Sequence, residues 1–123
     1  MKKILVGLFL VVSILSVADD KYDYVENKLE LKYGVLKDGY KNTLNIDDFD
    51  VMVFNGNINV NMEIEAFSGD GGWEKFNKSS YDKIAKEIAD DVRKMLNTTD
   101  KVEVTLVVDR KVGKKELLSS EIY

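Results

Sequence analysis

The 123-residue chain contains no cysteine, no histidine and no proline. Lacking cysteine, it can form no disulfide and offer no thiolate. Lacking histidine, it has no Ser/His/Asp or Cys/His nucleophile, no zinc or iron site of the usual kind and no imidazole proton shuttle. An enzyme built on this chain would have to work with Asp, Glu, Tyr, Lys and Ser alone. Paired carboxylates can hydrolyse glycosides, but that chemistry needs a deep aromatic-lined cleft, which one helix on one sheet seldom builds. The sequence therefore predicts a protein that is not an enzyme and holds neither metal nor cofactor. Clusters of basic residues with interleaved aromatics are also lacking, and the formal charge is -4. Nucleic acid is excluded as an expected partner.

The first eighteen residues carry an export signal. Lys2 and Lys3 precede an apolar run over residues 4–15, and Ser16-Val17-Ala18 places small residues where a signal peptidase reads them. The run is shorter than the roughly 20 residues a spanning helix needs, and Asp19, Asp20 and Asp23 follow at once. Cleavage after Ala18 is expected, leaving a single exported domain over residues 19–123. Left uncleaved, the same segment would hold that domain at the outer face of a membrane. Removing two lysines and no acid takes the formal charge from -4 to -6 over those 105 residues. No cysteine sits near the cleavage point to carry a lipoprotein anchor. An exported domain without disulfides fits a bacterial envelope, periplasm or secreted fraction better than an oxidising animal extracellular space.

The strongest periodic element is residues 79–96, where Tyr81, Ile84, Ala85, Ile88, Val92, Met95 and Leu96 fall on one stripe and predict an amphipathic helix. Ser79 and Asp82 have capping-box spacing, and Ser80 is an alternative cap. Before the helix, Ile58, Val60, Met62, Ile64 and Ala66 alternate with Asn57, Asn59, Asn61, Glu63 and Glu65. After it, Val102, Val104, Leu106 and Val108 alternate again, with Val107 adding apolar character that suggests an interior strand. Both alternations predict strands with one face in the core. Asn55-Gly56 suits a two-residue hairpin turn between the apolar run 49–54 and strand 57–66. Residues 116–123 return as an edge strand, which Lys111, Lys114 and Lys115 would protect from pairing. No family motif marks any of these segments.

The stretch 22–37 permits two readings. Leu29, Leu31, Tyr33 and Val35 alternate as a strand ending at Lys37-Asp38-Gly39, whereas Tyr22, Val25, Leu29, Tyr33 and Leu36 lie on one face of a helix. The strand is preferred, with residues 19–27 as a flexible lead. Residues 40–46 return as a short strand, and Asp47, Asp48 and Asp50 mark a break. The whole predicts an α+β domain, a two-layer sandwich in which a mostly antiparallel sheet of four or five strands packs on one main helix over residues 80–97. Its expected core is Ile58, Val60, Met62, Ile64, Ile84, Ile88, Val92, Leu96, Val102, Val104 and Leu106.

Three features invite a binding function. Phe67, Trp73 and Phe76 bracket a glycine-rich loop with little intrinsic order, and aromatics there suit a protein interface. The regularly spaced amides of Asn57, Asn59 and Asn61 could instead read a small ligand or carbohydrate, though such a row is more often the wet face of a sheet. Asp47, Asp48 and Asp50, and separately Asp70, lack the alternating spacing of a calcium loop and read as acidic turn residues. The sequence thus predicts a non-enzymatic exported module that binds a protein, through the aromatic loop or an open sheet edge.

Overall fold

The computed structural model describes residues 10–111 and 113–123, with side chains described from residue 21 onward. Residues 1–9 of the expected export signal lie outside the described residues. The fold is α+β, in the order α1 (Leu10–Tyr33), β1 (Val35–Lys37), β2 (Thr43–Asn45), β3 (Asp48–Phe54), β4 (Asn57–Ala66), α2 (Lys78–Leu96), β5 (Val102–Arg110) and β6 (Glu116–Ile122). Strands β3-β4-β5-β6 form one sheet, and β1 and β2 form a small hairpin of their own. Among the described residues no helix is long and apolar enough to cross a membrane.

The main sheet is mostly antiparallel, as expected, but not purely so: two of its three strand pairings are antiparallel and one is parallel. β4 and β5 pair in parallel, with Ile58 opposite Val102 and Ile64 opposite Val108, because α2 carries the chain back across the sheet between them. Antiparallel partners flank this pair on both sides, β3 beside β4 and β6 beside β5. The β3-β4 turn is the Asn55-Gly56 pair, with φ of 52° and 77° as a two-residue hairpin of the right twist requires.

Residues 19–33 depart from the preferred reading. The flexible lead and most of the expected strand, up to Tyr33, are one helix, α1, while its end survives as the short strand β1, and the domain has a second helix on its sheet. Val25, Leu29 and Tyr33, spaced four apart, are buried, whereas Leu31, which a strand would have placed on the same face as Leu29, is 82% exposed. Alternating Lys28, Glu30 and Lys32 imitate a strand, but Tyr33 decides the matter by donating its hydroxyl to Asp91 (2.5 Å) and Glu87 (3.0 Å) of α2. Gly34 ends the helix where a Cβ would meet the Glu30 carbonyl oxygen at 2.7 Å.

The other helix also starts differently. Asn77, not Ser79 or Ser80, caps α2, its side-chain oxygen accepting from the Ser80 N–H at 2.8 Å. At the far end Asn97 adopts the left-handed conformation and donates its N–H to the last turn. Of the expected core, all but the half-buried Ile84 are buried, joined by Phe49, Val51, Phe76 and Tyr81. The core fills the space between the helices and the inner face of the sheet, and among the described residues no helix covers the outer face.

Candidate functional site

The glycine-rich loop is held in place, contrary to its composition. The Asp70 carboxylate accepts from the N–H groups of Gly72 (3.2 Å) and Glu74 (2.8 Å), and the Arg110 Nε donates to the Gly69 carbonyl at 2.9 Å. Gly71, at positive φ, lies so close to Ile64 that a Cβ would come within 2.9 Å of its Cδ1. These contacts divide the three aromatics expected to form one patch. Phe76 is buried in the core. Trp73 is half-buried, edge-on to Tyr81 with ring centroids 4.8 Å apart, and the Lys78 ammonium lies 4.4 Å from its centroid. Only Phe67 stands free, 81% exposed.

A second knot joins this loop to the β1-β2 hairpin. Asp38 is buried, and its carboxylate accepts from the N–H groups of Tyr40 (2.7 Å), Asn42 (3.1 Å) and Asn77 (2.9 Å) and from the Asn42 amide (2.9 Å). Its own carbonyl accepts from the Ser80 hydroxyl at 2.9 Å. Burial alone would push this carboxyl up, but the donors from Asn42, Asn77 and Tyr40 outweigh it and hold the pKa down at about 2. Asp38 thereby sets where α2 begins. Tyr81, in the first turns of that helix, keeps a buried hydroxyl with no hydrogen-bond partner among the described residues.

The outer face of the main sheet brings together what the sequence scattered. By register, Met52, Asn59, Glu103 and Ile122 lie in one row across the strands, Asp50, Asn61, Thr105 and Ser120 in the next, and Asp48, Glu63, Val107 and Leu117 in a third. Asn57, Asn59 and Asn61 are all on this face and half-buried. The Asn59 amide donates to Glu103 at 3.0 Å, Glu103 accepts from the Ser120 hydroxyl at 3.0 Å, and Ser120 meets Thr105 at 3.1 Å. Apolar side chains flank this polar centre. Met52 and Phe54 are 43% and 62% exposed on β3, and Leu117 and Ile122 are 60% and 52% exposed on β6.

The two edges of the sheet differ. Along β3 the edge is partly closed by α1, where the Val51 N–H donates to the Glu26 carboxylate at 2.8 Å. Burial raises the Glu26 pKa, and that hydrogen bond only partly offsets the rise. β6 forms the other edge, and two of the three lysines expected to guard it are engaged elsewhere. Lys111 and Lys115 reach over the outer face to Glu65 (3.4 Å) and Glu63 (2.9 Å) of β4, two strands inward. A shift in register between Leu106 and Val107 marks a bulge in the β5-β6 pairing, a feature that hinders further pairing without lysine.

Among the described residues, no group of three or more Asp or Glu is arranged to hold a metal ion. The acids of the outer face, Asp48 and Asp50 among them, are spread over three strands, β3, β4 and β5. Chemically the face offers an acidic, hydrogen-bonding centre between two exposed apolar margins. Sequence reasoning had the strand alternation that builds it, but missed Met52, Phe54, Leu117 and Ile122. The strand pairing reveals them: each lies in the rows of Asn and Glu positions assigned to the wet side. Comparison with protein-family models, with curated proteins and with solved structures finds no match for this chain.

Proposed function

We propose that this chain is an exported, non-enzymatic protein-interaction module of a bacterial envelope or its surroundings, and that its partner docks on the outer face of the mixed sheet. The observation that carries this reading is the set of four large apolar side chains exposed on that face, Met52, Phe54, Leu117 and Ile122. Apolar groups gathered at the margins of one face are what interfaces bury, and solitary monomers keep such patches small. Asp48, Asp50 and Asp109 on the same face favour a partner that pairs an apolar patch with basic residues. Export rests on the amino-terminal signal alone.

The aromatic loop takes a smaller part in this reading. Phe76 belongs to the core and Trp73 is half committed to Tyr81, so Phe67 is the one aromatic there free to contribute. The rival reading, a carbohydrate held by Asn57, Asn59 and Asn61, would have to take the Asn59 amide from Glu103. A photocrosslinking residue placed at position 54 should capture one partner in stoichiometric amount from the native envelope. The same residue at position 86, on the helical side, should not. Loss of the adduct on Met52→Asp, with an unchanged circular dichroism spectrum, is the expected result; equal capture from both positions refutes the assignment.

A further inference from the structure

We infer that the groove between α1 and α2 binds a single-chain amphiphile with an anionic headgroup. Its α1 wall is a second stripe of that helix. Tyr24, Lys28 and Leu31 lie at i, i+4 and i+7, beside the stripe of Val25, Leu29 and Tyr33 that faces the core. Tyr24 and Leu31 are 52% and 82% exposed although both are large and apolar or amphipathic. From α2 come Lys94 and Met95, and the groove encloses about 510 Å³. Met95 supplies apolar lining over the buried Leu29, and methionine adapts readily to an irregular chain.

Charge selects the occupant. The protein is acidic overall, yet three lysines, Lys28, Lys32 and Lys94, stand at this groove. Lys32 is neutralised by Asp91 at 2.8 Å, and the same Asp91 receives the Tyr33 hydroxyl, so both are already satisfied. Lys28 has the Tyr24 ring as its neighbour, 5.5 Å from the centroid, and Lys94 makes no ion pair among the described residues. Two cations are therefore left to meet an anion beside apolar walls. The walls are helices, whose interior backbone groups are paired within themselves. An occupant can gain little here from backbone hydrogen bonding, which disfavours an extended peptide. It gains from contact along an apolar chain and from one negative end, which is the chemistry of a fatty carboxylate or an alkyl sulfate. This site is separate from the outer sheet face, and neither proposal depends on the other.

The test uses the full domain and three twelve-carbon probes, dodecanoate, dodecyltrimethylammonium and dodecyl maltoside, each held below its micellar threshold in isothermal titrations. Dodecanoate should bind saturably at one site, at least tenfold tighter than the cationic or neutral probe. Leu31→Asp should weaken dodecanoate at least tenfold; this side chain is too exposed for the change to unfold the domain, which circular dichroism verifies. Lys28→Gln combined with Lys94→Gln should remove most of the headgroup preference. Lys75→Gln with Lys114→Gln, an equal loss of charge away from the groove, should leave it intact. Equal binding of the three probes, no saturable binding, an unchanged Leu31→Asp variant, or an equal response of the two lysine pairs would each overturn the inference.

Discussion

The two faces of the main sheet share the same four strands and carry opposite chemistry. On β5, Val102, Val104, Leu106 and Val108 point under the helices and are buried, while Glu103, Thr105, Val107 and Asp109 alternate with them on the outer face, half-buried. On β4 the same alternation separates Val60 and Met62 from Asn59 and Asn61. A single-residue shift of register would exchange the faces, so the buried side fixes the register and the outer side is displayed as a consequence. The inner face holds the fold together. The outer face can change without unfolding it, which is why a recognition surface fits there.

The largest effect expected follows from that division. Leu106→Ala, on the inner face, should cost about 3 kcal/mol by loss of buried contacts and creation of a cavity, within the usual range of about 2 to 5 for such truncations. Phe54→Ser, on the outer face, should change stability by less than about 0.5 kcal/mol. Urea unfolding midpoints compare the two directly. Similar costs would mean that the outer face is covered by something in the folded molecule, and the comparison between faces would fail.

Asp38 sharpens the comparison at the rim of the inner layer. Its folded-state pKa, about 2, lies below the ordinary 3.8. A carboxyl depressed in this way contributes stability that is fully present above the ordinary value and is lost as pH falls through the folded one. The thermal midpoint should therefore drop between about pH 4 and pH 2. Asp91 acts in the same direction: burial opposes it, but hydrogen bonds from Lys32 and Tyr33 hold its pKa below the usual value. Asp38→Asn should lower the midpoint at pH 7, because an amide cannot accept from all four donors, and should flatten the acid limb. An acid limb as steep as that of the unmodified protein would remove Asp38 from this role.

Much of the fold was legible in the sequence because it is encoded locally. The stripe of α2, the alternation of β4 and β5 and the Asn55-Gly56 turn each need only neighbouring residues to be recognised. α1 was not legible in the same way. Lys28, Glu30 and Lys32 alternate with Leu29, Leu31 and Tyr33, and only packing against α2, through Tyr33 and Asp91, makes the helical face the productive one. The fate of Trp73 and Phe76 was likewise non-local, since it depends on Tyr81 and on a loop whose glycines are held by Asp70 and Arg110. Of the proposed outer face, the polar centre could be read from alternation. Its apolar margins could be placed only once the pairing of β3 with β4 and of β6 with β5 had put them in register with that centre.

The smallest expected effect concerns where the helix over the inner face begins. Capping-box spacing pointed to Ser79, whereas the folded chain uses Asn77, whose side chain accepts from the Ser80 N–H while its own N–H is held by Asp38. Asn77→Ala should therefore cost about 1 kcal/mol, the usual effect of losing such a cap, and Asn77→Ser should recover most of it. Ser79→Ala, at an exposed position, should stay within about 0.5 kcal/mol of the unmodified protein. Chemical denaturation of the three variants distinguishes the two starting points. A cost at Ser79 equal to that at Asn77 would move the cap two residues on. Ser80, now in the first turn of α2, bonds to the Asp38 carbonyl, and Asn77 bonds to its carboxylate, so that shift would also break the knot tying helix to hairpin. The cap and the buried carboxylate should therefore weaken together: in the double variant Asn77→Ala with Asp38→Asn, the combined loss should fall short of the two single losses added, as expected for groups in one network.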